Sequence, residues 1–149
     1  DSRVRALRPD AELQGFAVQP MAEGVETLAS ATADPLFGPV LAFGLGGVWV
    51  ELLEDVSLRL APVGPDDVDE MLGEIKGRKL LDEFRGGPLA DRGALRETLL
   101  RLSDLAWTFA DDIAEVEINP LFAGPDGVLA ADGLVRLHEA RTEGEEDAR

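Results

Sequence analysis

Glu115-Val116-Glu117-Ile118-Asn119-Pro120-Leu121-Phe122 alternates polar and apolar residues. The turn sequence Gly124-Pro125-Asp126-Gly127 follows, and then Val128-Leu129-Ala130-Ala131-Asp132. A period of two predicts a strand, with Glu115, Glu117 and Asn119 on one face and Val116 and Ile118 on the other. The tetrapeptide predicts a type I turn: Pro125 presets φ at the second position, Asp126 follows and Gly127 closes it. A hairpin centred between Pro125 and Asp126 sets Asn119 directly opposite Asp132. Opposed side chains on a sheet lie about 4.5–5.5 Å apart at Cβ, within reach of one small cation. An amide oxygen and a carboxylate are hard ligands. They suit Mg²⁺, which takes one or two protein carboxylates and completes its shell with water and substrate phosphates. An ordinary polar-faced hairpin has the same pattern, so the residues alone leave both readings open.

The chain has 149 residues, enough for one domain with a sizeable core. Hydrophobic residues make up 45% and charged residues 30%, a globular profile. No apolar run approaches the ~20 residues that span a bilayer, and no leader pattern is visible. The first residue is Asp rather than Met, so the chain is expected to be a piece of something longer. Cysteine is absent, which removes disulfides and thiolate metal sites and agrees with a cytoplasmic setting. The formal net charge is −16, from 14 Lys and Arg against 30 Asp and Glu. That balance argues against nucleic acid and anionic membrane surfaces as partners. It still permits nucleotides, provided Mg²⁺ or backbone amides offset the phosphate charge.

Along the chain, residues 1–14 read as a lead-in with Arg3, Arg5 and Arg8 and little periodicity. Gly15 to Met21 reads as a strand ending near Pro20, Val25 to Ala31 as a second strand, and residues 33–39 as a turn-rich link. Val40-Leu41-Ala42-Phe43 reads as a buried strand. Gly44-Leu45-Gly46-Gly47 follows it, then the apolar run Val48 to Leu53. Ser57 to Val63 alternates again. A helix starts at Pro65, with Val68, Met71, Leu72 and Ile75 as its apolar stripe, and Gly77 is expected to end it. Asp91 is the expected N-cap of a longer helix whose stripe is Leu95, Leu99, Leu102, Ala106 and Phe109. After the hairpin, Leu134 to Leu137 extends the return strand. Residues 139–149 read as an acidic, solvated tail. Strands, then helices, then a terminal hairpin predict an α+β fold with a mainly antiparallel sheet flanked by two or more helices.

Asp34-Pro35-Leu36-Phe37-Gly38-Pro39-Val40, Phe43-Gly44-Leu45-Gly46-Gly47, Asp55 to Pro62 and Glu117-Ile118-Asn119-Pro120-Leu121 together resemble the larger, C-terminal lobe of the ATP-grasp domain in ADP-forming acyl-CoA synthetases. These enzymes include the ADP-forming acetate–CoA ligases and are similar to succinyl-CoA synthetase. The resemblance spans residues 15–138. It implies a lobe holding ATP or ADP with Mg²⁺, in a parent that makes acyl-CoA, ADP and phosphate from an acid, CoA and ATP through a phosphohistidine located elsewhere.

The implied partners are the rest of that parent, namely the smaller ATP-grasp lobe and the CoA-binding and phosphohistidine domains, with an oligomer compatible. The resemblance places the Mg²⁺ ligands at Asn119 and Asp132. It places the nucleotide hinge at Gln19, Pro20 and Met21, and a ribose- or phosphate-side acid at Glu26. A plain strand end at Gln19 and Met21 and a solvent-facing Glu26 remain the alternatives.

Gly44, Gly46 and Gly47 permit a phosphate cradle or a tight turn. Their pattern meets neither the dinucleotide fingerprint nor the Walker A loop. Arg59 could meet a phosphate or, as favoured here, pair with an acid. Arg85 is equally open. Two departures stand out: Asp132 is followed by Gly133-Leu134 where many relatives have Ala-Arg, and the only histidine, His138, reads as a surface residue. The isolated chain is expected not to turn over. The alternative parent is a regulatory, nucleotide-sensing fusion with an acetyltransferase.

Overall fold

The computed structural model describes residues 2–12, 14–47, 55–82, 86, 87 and 89–139. Among the described residues three helices, α1 (Ser2–Leu7), α2 (Pro65–Glu74) and α3 (Arg92–Thr108), accompany six strands. The strands are β1 (Val25–Asp34), β2 (Gly38–Leu45), β3 (Val56–Leu60), β4 (Ile113–Gly124), β5 (Gly127–Ala130) and β6 (Gly133–Leu137). A short 3₁₀ helix spans Lys76–Leu80. The strands form one antiparallel sheet in the order β3-β2-β1-β4-β5, and β6 also pairs with β4. The fold is the α+β arrangement expected.

The long central strand β4 organises the sheet. One edge pairs with β1 and the other with β5 and then β6. Phe43, Leu41 and Leu45 of β2, Ala29 and Ala31 of β1, and Val116, Leu121 and Ala123 of β4 share one face. They pack with Val68, Met71 and Leu72 of α2 and Leu95, Leu99 and Leu102 of α3 in a single core. Fully burying a Leu or Phe side chain contributes roughly 1.5–3 kcal/mol, so this face carries most of the apolar stabilisation. Asp91 caps α3 as expected, its Oδ1 accepting from Ala94 N at 2.9 Å. Asp34 accepts from the amides of Leu36 and Phe37 at 2.8 and 3.0 Å, closing the β1–β2 link with a side chain that turns favour for this reason.

Four expectations change. Gly15 to Met21 is not a strand. Residues 14–23 have no regular structure, and Phe16, Val18 and Met21 are exposed. Both edges of β1 are already taken by β2 and β4, so the segment has no edge there to join. Residues 2–7 of the lead-in are helical, with Arg8 N bonding back to Val4 O at 2.7 Å. Gly77 does not end α2: the helix stops at Glu74 and Gly77 lies inside the 3₁₀ turn. Phe109 leaves the apolar stripe to become the half-exposed C-cap of α3. The run Val48 to Leu53, Arg85 and the residues after 139 lie outside the described residues.

Candidate functional site

The face of the sheet away from α2 and α3 is polar at its centre. The register places Glu26, Leu28, Ser30 and Thr32 of β1 there, beside Glu115 and Glu117 of β4. The hairpin register is the one read from the turn: Gly124 faces Gly127, Leu121 faces Ala130, Ile118 faces Gly133 and Glu117 faces Leu134. Asn119 therefore faces Asp132, and Asn119 N donates to Asp132 O at 3.2 Å. Both residues are exposed.

Two irregularities meet at this point. Along β1, Thr27 pairs with Leu121 and Ala29 with Ile118. Asn119 and Pro120 together thus oppose Leu28 alone, a β-bulge. The return strand breaks opposite it, between β5 and β6, at Ala131 and Asp132. Pro120 has no N–H to give a ladder, which is why a bulge tolerates it. The Asn119–Pro120 peptide is cis. Bulges re-aim side chains next to active sites. Here Thr27, fully buried, donates its hydroxyl to Leu121 O at 2.7 Å and ties the bulge to β1.

The two side chains at the bulge have few protein partners. Asn119 Nδ2 donates to Glu117 Oε1 at 3.3 Å, and among the described residues none donates to the amide oxygen. Asp132 Oδ1 accepts from Gly133 N at 2.8 Å. Among the described residues no three acidic or histidine side chains converge as a metal cage. A site with two protein oxygens is incomplete for Ca²⁺ or Zn²⁺ but fits Mg²⁺, which keeps several waters and recruits substrate phosphates. Glu117 was not singled out from sequence. Its signal was present all the same, since residues two apart on a strand share a face.

The other candidates are placed less tightly. Glu26, the second residue of β1, lies on the same face, opposite Phe122, and is exposed. A Cβ on Gly47, whose φ is +63°, would lie 2.7 Å from Glu26 Oε2, so the carboxylate rests over the glycine loop. Gly46 N donates to Glu26 O at 2.8 Å. Gly44 has its own packing reason: a Cβ there would meet Asp55 O at 2.6 Å. Gln19 and Met21 lie on the exposed arm and share no hydrogen bond with the bulge. An open hollow of about 300 Å³ lies between Glu23 and the β4–β5 turn, lined by Phe122 and Leu129 among others. None of Gln19, Met21, Glu26, Asn119 or Asp132 lines it.

Arg59 is committed to acids. It donates to Glu74 at 2.6 and 3.0 Å and to Glu70 at 3.2 Å, and Ser57 Oγ donates to Glu74 at 2.7 Å. The hydrogen bonds from Arg59 first, then from Ser57, hold the Glu74 carboxyl below its usual range. His138 is exposed.

Comparison with known proteins adds the lineage. A family model described as ATP-grasp domain matches residues 1–137. The chain is 40% identical over 135 residues to the beta subunit of ADP-forming acetate–CoA ligase I of Pyrococcus furiosus, covering 90% of this chain and 58% of that subunit. It is 37% identical over 139 residues to ADP-forming acetate–CoA ligase I of Archaeoglobus fulgidus, covering 93% of this chain but 20% of that protein. Among solved structures it resembles the dinucleotide-forming acetyl-coenzyme A synthetase 1 of Ca. Korarchaeum cryptofilum in complex with coenzyme A and Mg-AMPPCP. The TM-score is 0.75 at 40% identity, covering 79% of this chain and 55% of that one. The apo form of that protein gives a TM-score of 0.77 at 39% identity, covering 80% and 57%. The chain thus spans little more than half of the subunits it matches. The antiparallel sheet and a family match over residues 1–137 lead to one assignment: the chain belongs to the ATP-grasp domain family.

Proposed function

We propose that this chain is the larger nucleotide-binding lobe of an ADP-forming acyl-CoA synthetase, and that Asn119 and Asp132 hold the Mg²⁺ that accompanies its nucleotide. The observation that carries the reading is the bulge: it sets an unclaimed amide oxygen opposite a carboxylate on the one sheet face the helices leave open. Bound there, Mg²⁺ would neutralise phosphate charge, and positioning with charge neutralisation is most of what phosphoryl transfer needs. Glu117 holds the Asn119 amide so that its oxygen faces outward. Glu26, over the Gly47 loop, meets the ribose or phosphate side, and Gln19 and Met21 meet the adenine once the arm is flanked by the smaller lobe.

In the parent, an acid, CoA and ATP give acyl-CoA, ADP and phosphate, with CoA-binding and phosphohistidine domains supplied elsewhere. Relatives that are acetate–CoA ligases support this over a regulatory acetyltransferase fusion. No described helix is long and apolar enough to cross a membrane. A cytoplasmic parent is part of the proposal.

The test is an assay of the parent for acid-, CoA- and ATP-dependent thioester formation. Activity that is lost in Asn119→Ala and Asp132→Ala, and absent from the lobe alone, is expected. An active parent whose activity survives both substitutions would refute the assignment of the metal pair.

A further inference from the structure

The chain contains only two lysines, Lys76 and Lys79, and both lie with Arg78 in one short turn. The setting is unusual for so acidic a protein. Among the described residues, Arg8, Arg59, Arg92, Arg96, Arg101 and Arg136 each pair with a carboxylate. Lys76, Arg78 and Lys79 are exposed, and no described carboxylate forms an ion pair with any of them. In a 3₁₀ helix, side chains three apart eclipse, so Lys76 and Lys79 project from the same side.

The turn is also built rather than loose. Asp55 is buried, and its two carboxylate oxygens accept from Lys76 N and Gly77 N, each at 2.7 Å. That leaves the one nearby buried acid spent on backbone amides. Gly77 is pressed against Leu45, where a Cβ would come within 2.1 Å of Leu45 Cδ1. The turn is thereby fixed at the end of β2 that leads into the Gly46–Gly47 loop, against the core-facing side chain of Leu45.

We propose that Lys76, Arg78 and Lys79 form a second anion site, which receives the phosphate groups of a reactant separately from the Asn119–Asp132 pair. A net charge of −16 repels polyanions, and local cations counter this by raising the concentration of anions where they are needed. Three cations within four residues present a footprint of one turn, which matches a compact phosphate better than a broad acidic protein surface. Lys serves phosphate as a point charge. The choice of phosphate rests on the synthetase reading, whose reactants are phosphorylated. The sources to separate are inorganic phosphate, a nucleotide and coenzyme A.

The experiment titrates the full chain, without Mg²⁺, with inorganic phosphate, ADP, coenzyme A and a polyglutamate peptide, following backbone amide shifts. At least one phosphate compound is expected to move the amides of Lys76 to Leu80 most. The triple variant K76Q/R78Q/K79Q should weaken binding roughly tenfold, while K76R/R78K/K79R retains it. Raising ionic strength from 0.01 to 0.15 M, which shortens the screening length from about 30 to about 8 Å, should weaken it too.

The proposal is overturned if none of the phosphate compounds moves those amides, if neutralising the cations changes nothing, or if polyglutamate binds as well. The titration repeated in Asn119→Ala separates the two readings: binding at the turn is expected to persist there. If Mg²⁺–nucleotide binding at the bulge fails while the turn still binds, only the earlier reading falls.

Discussion

Strand β2 sends Leu41, Phe43 and Leu45 to one side of the sheet and Val40, Ala42 and Gly44 to the other. The first set meets Leu95, Leu99 and Met71 in a sealed core. The second belongs to the face that carries Glu117, Asn119 and Asp132. On the covered face every position is fixed by packing, and interiors packed like crystals tolerate little change. On the open face side chains keep unused oxygens, such as the Asn119 amide oxygen, at a place where the backbone is irregular. The difference separates two kinds of constraint within single strands: one residue is chosen to fill space, and its neighbour to leave a donor or acceptor free.

The sharpest way to break this division is to mutate both faces and read both stability and affinity. Leu99→Ala empties a fully buried position of α3. It should cost about 2–5 kcal/mol in urea unfolding, with Mg²⁺–ADP affinity unchanged below the transition. Asn119→Ala and Asp132→Ala should do the reverse. Each is expected to weaken Mg²⁺–ADP about 100-fold in titration calorimetry, or ~2.7 kcal/mol, while stability stays within about 0.5 kcal/mol. If these exposed changes unfold the chain as strongly as Leu99→Ala, the two faces are not separate.

Thr27→Val probes the link between the faces, because the hydroxyl that ties the bulge is buried on the covered side. It should lose about 1 kcal/mol of stability and also lower Mg²⁺–ADP affinity, an effect on both readouts that neither preceding change produces. A loss of stability with unchanged affinity would show that the bulge does not need this tie.

The smallest effect is expected at Glu74, whose carboxyl is held below its usual range chiefly by Arg59. A depressed carboxylate contributes stability above its unfolded pKa of about 4.3 and loses it as pH falls further toward the folded value. Glu74→Gln should therefore flatten the acid limb of the stability profile below about pH 5 and leave pH 7 to 8 nearly parallel to the parent. Because both partners contact solvent, the slope change is small.

Much of this was readable beforehand, for local reasons. Gly124-Pro125-Asp126-Gly127 fixes a turn, and alternation on either side fixes a register, so Asn119 opposite Asp132 followed from nearest neighbours alone. Asp91 as a cap and Pro65 as a helix start are likewise decided within a few residues. The bulge was not readable, because it exists only as a count against β1, some ninety residues earlier. The segment Gly15 to Met21 reads as a strand ending at Pro20, but a strand needs an edge to join, and a sequence does not say which edges are free. The glycines at 44, 46 and 47 looked alike in the sequence. The structure divides them: Gly44 makes room for the backbone of Asp55, and Gly47 lies under Glu26.

The most direct test substitutes Mn²⁺ for Mg²⁺ in the presence of ADP and maps paramagnetic broadening of amide and side-chain resonances. The account predicts the strongest broadening at Asn119, Asp132 and Gly133, with Glu117 next, and its loss in Asn119→Ala. Broadening centred instead on the acid-rich start of α2, at Asp66, Asp67 and Glu70, with the bulge unaffected, would contradict it.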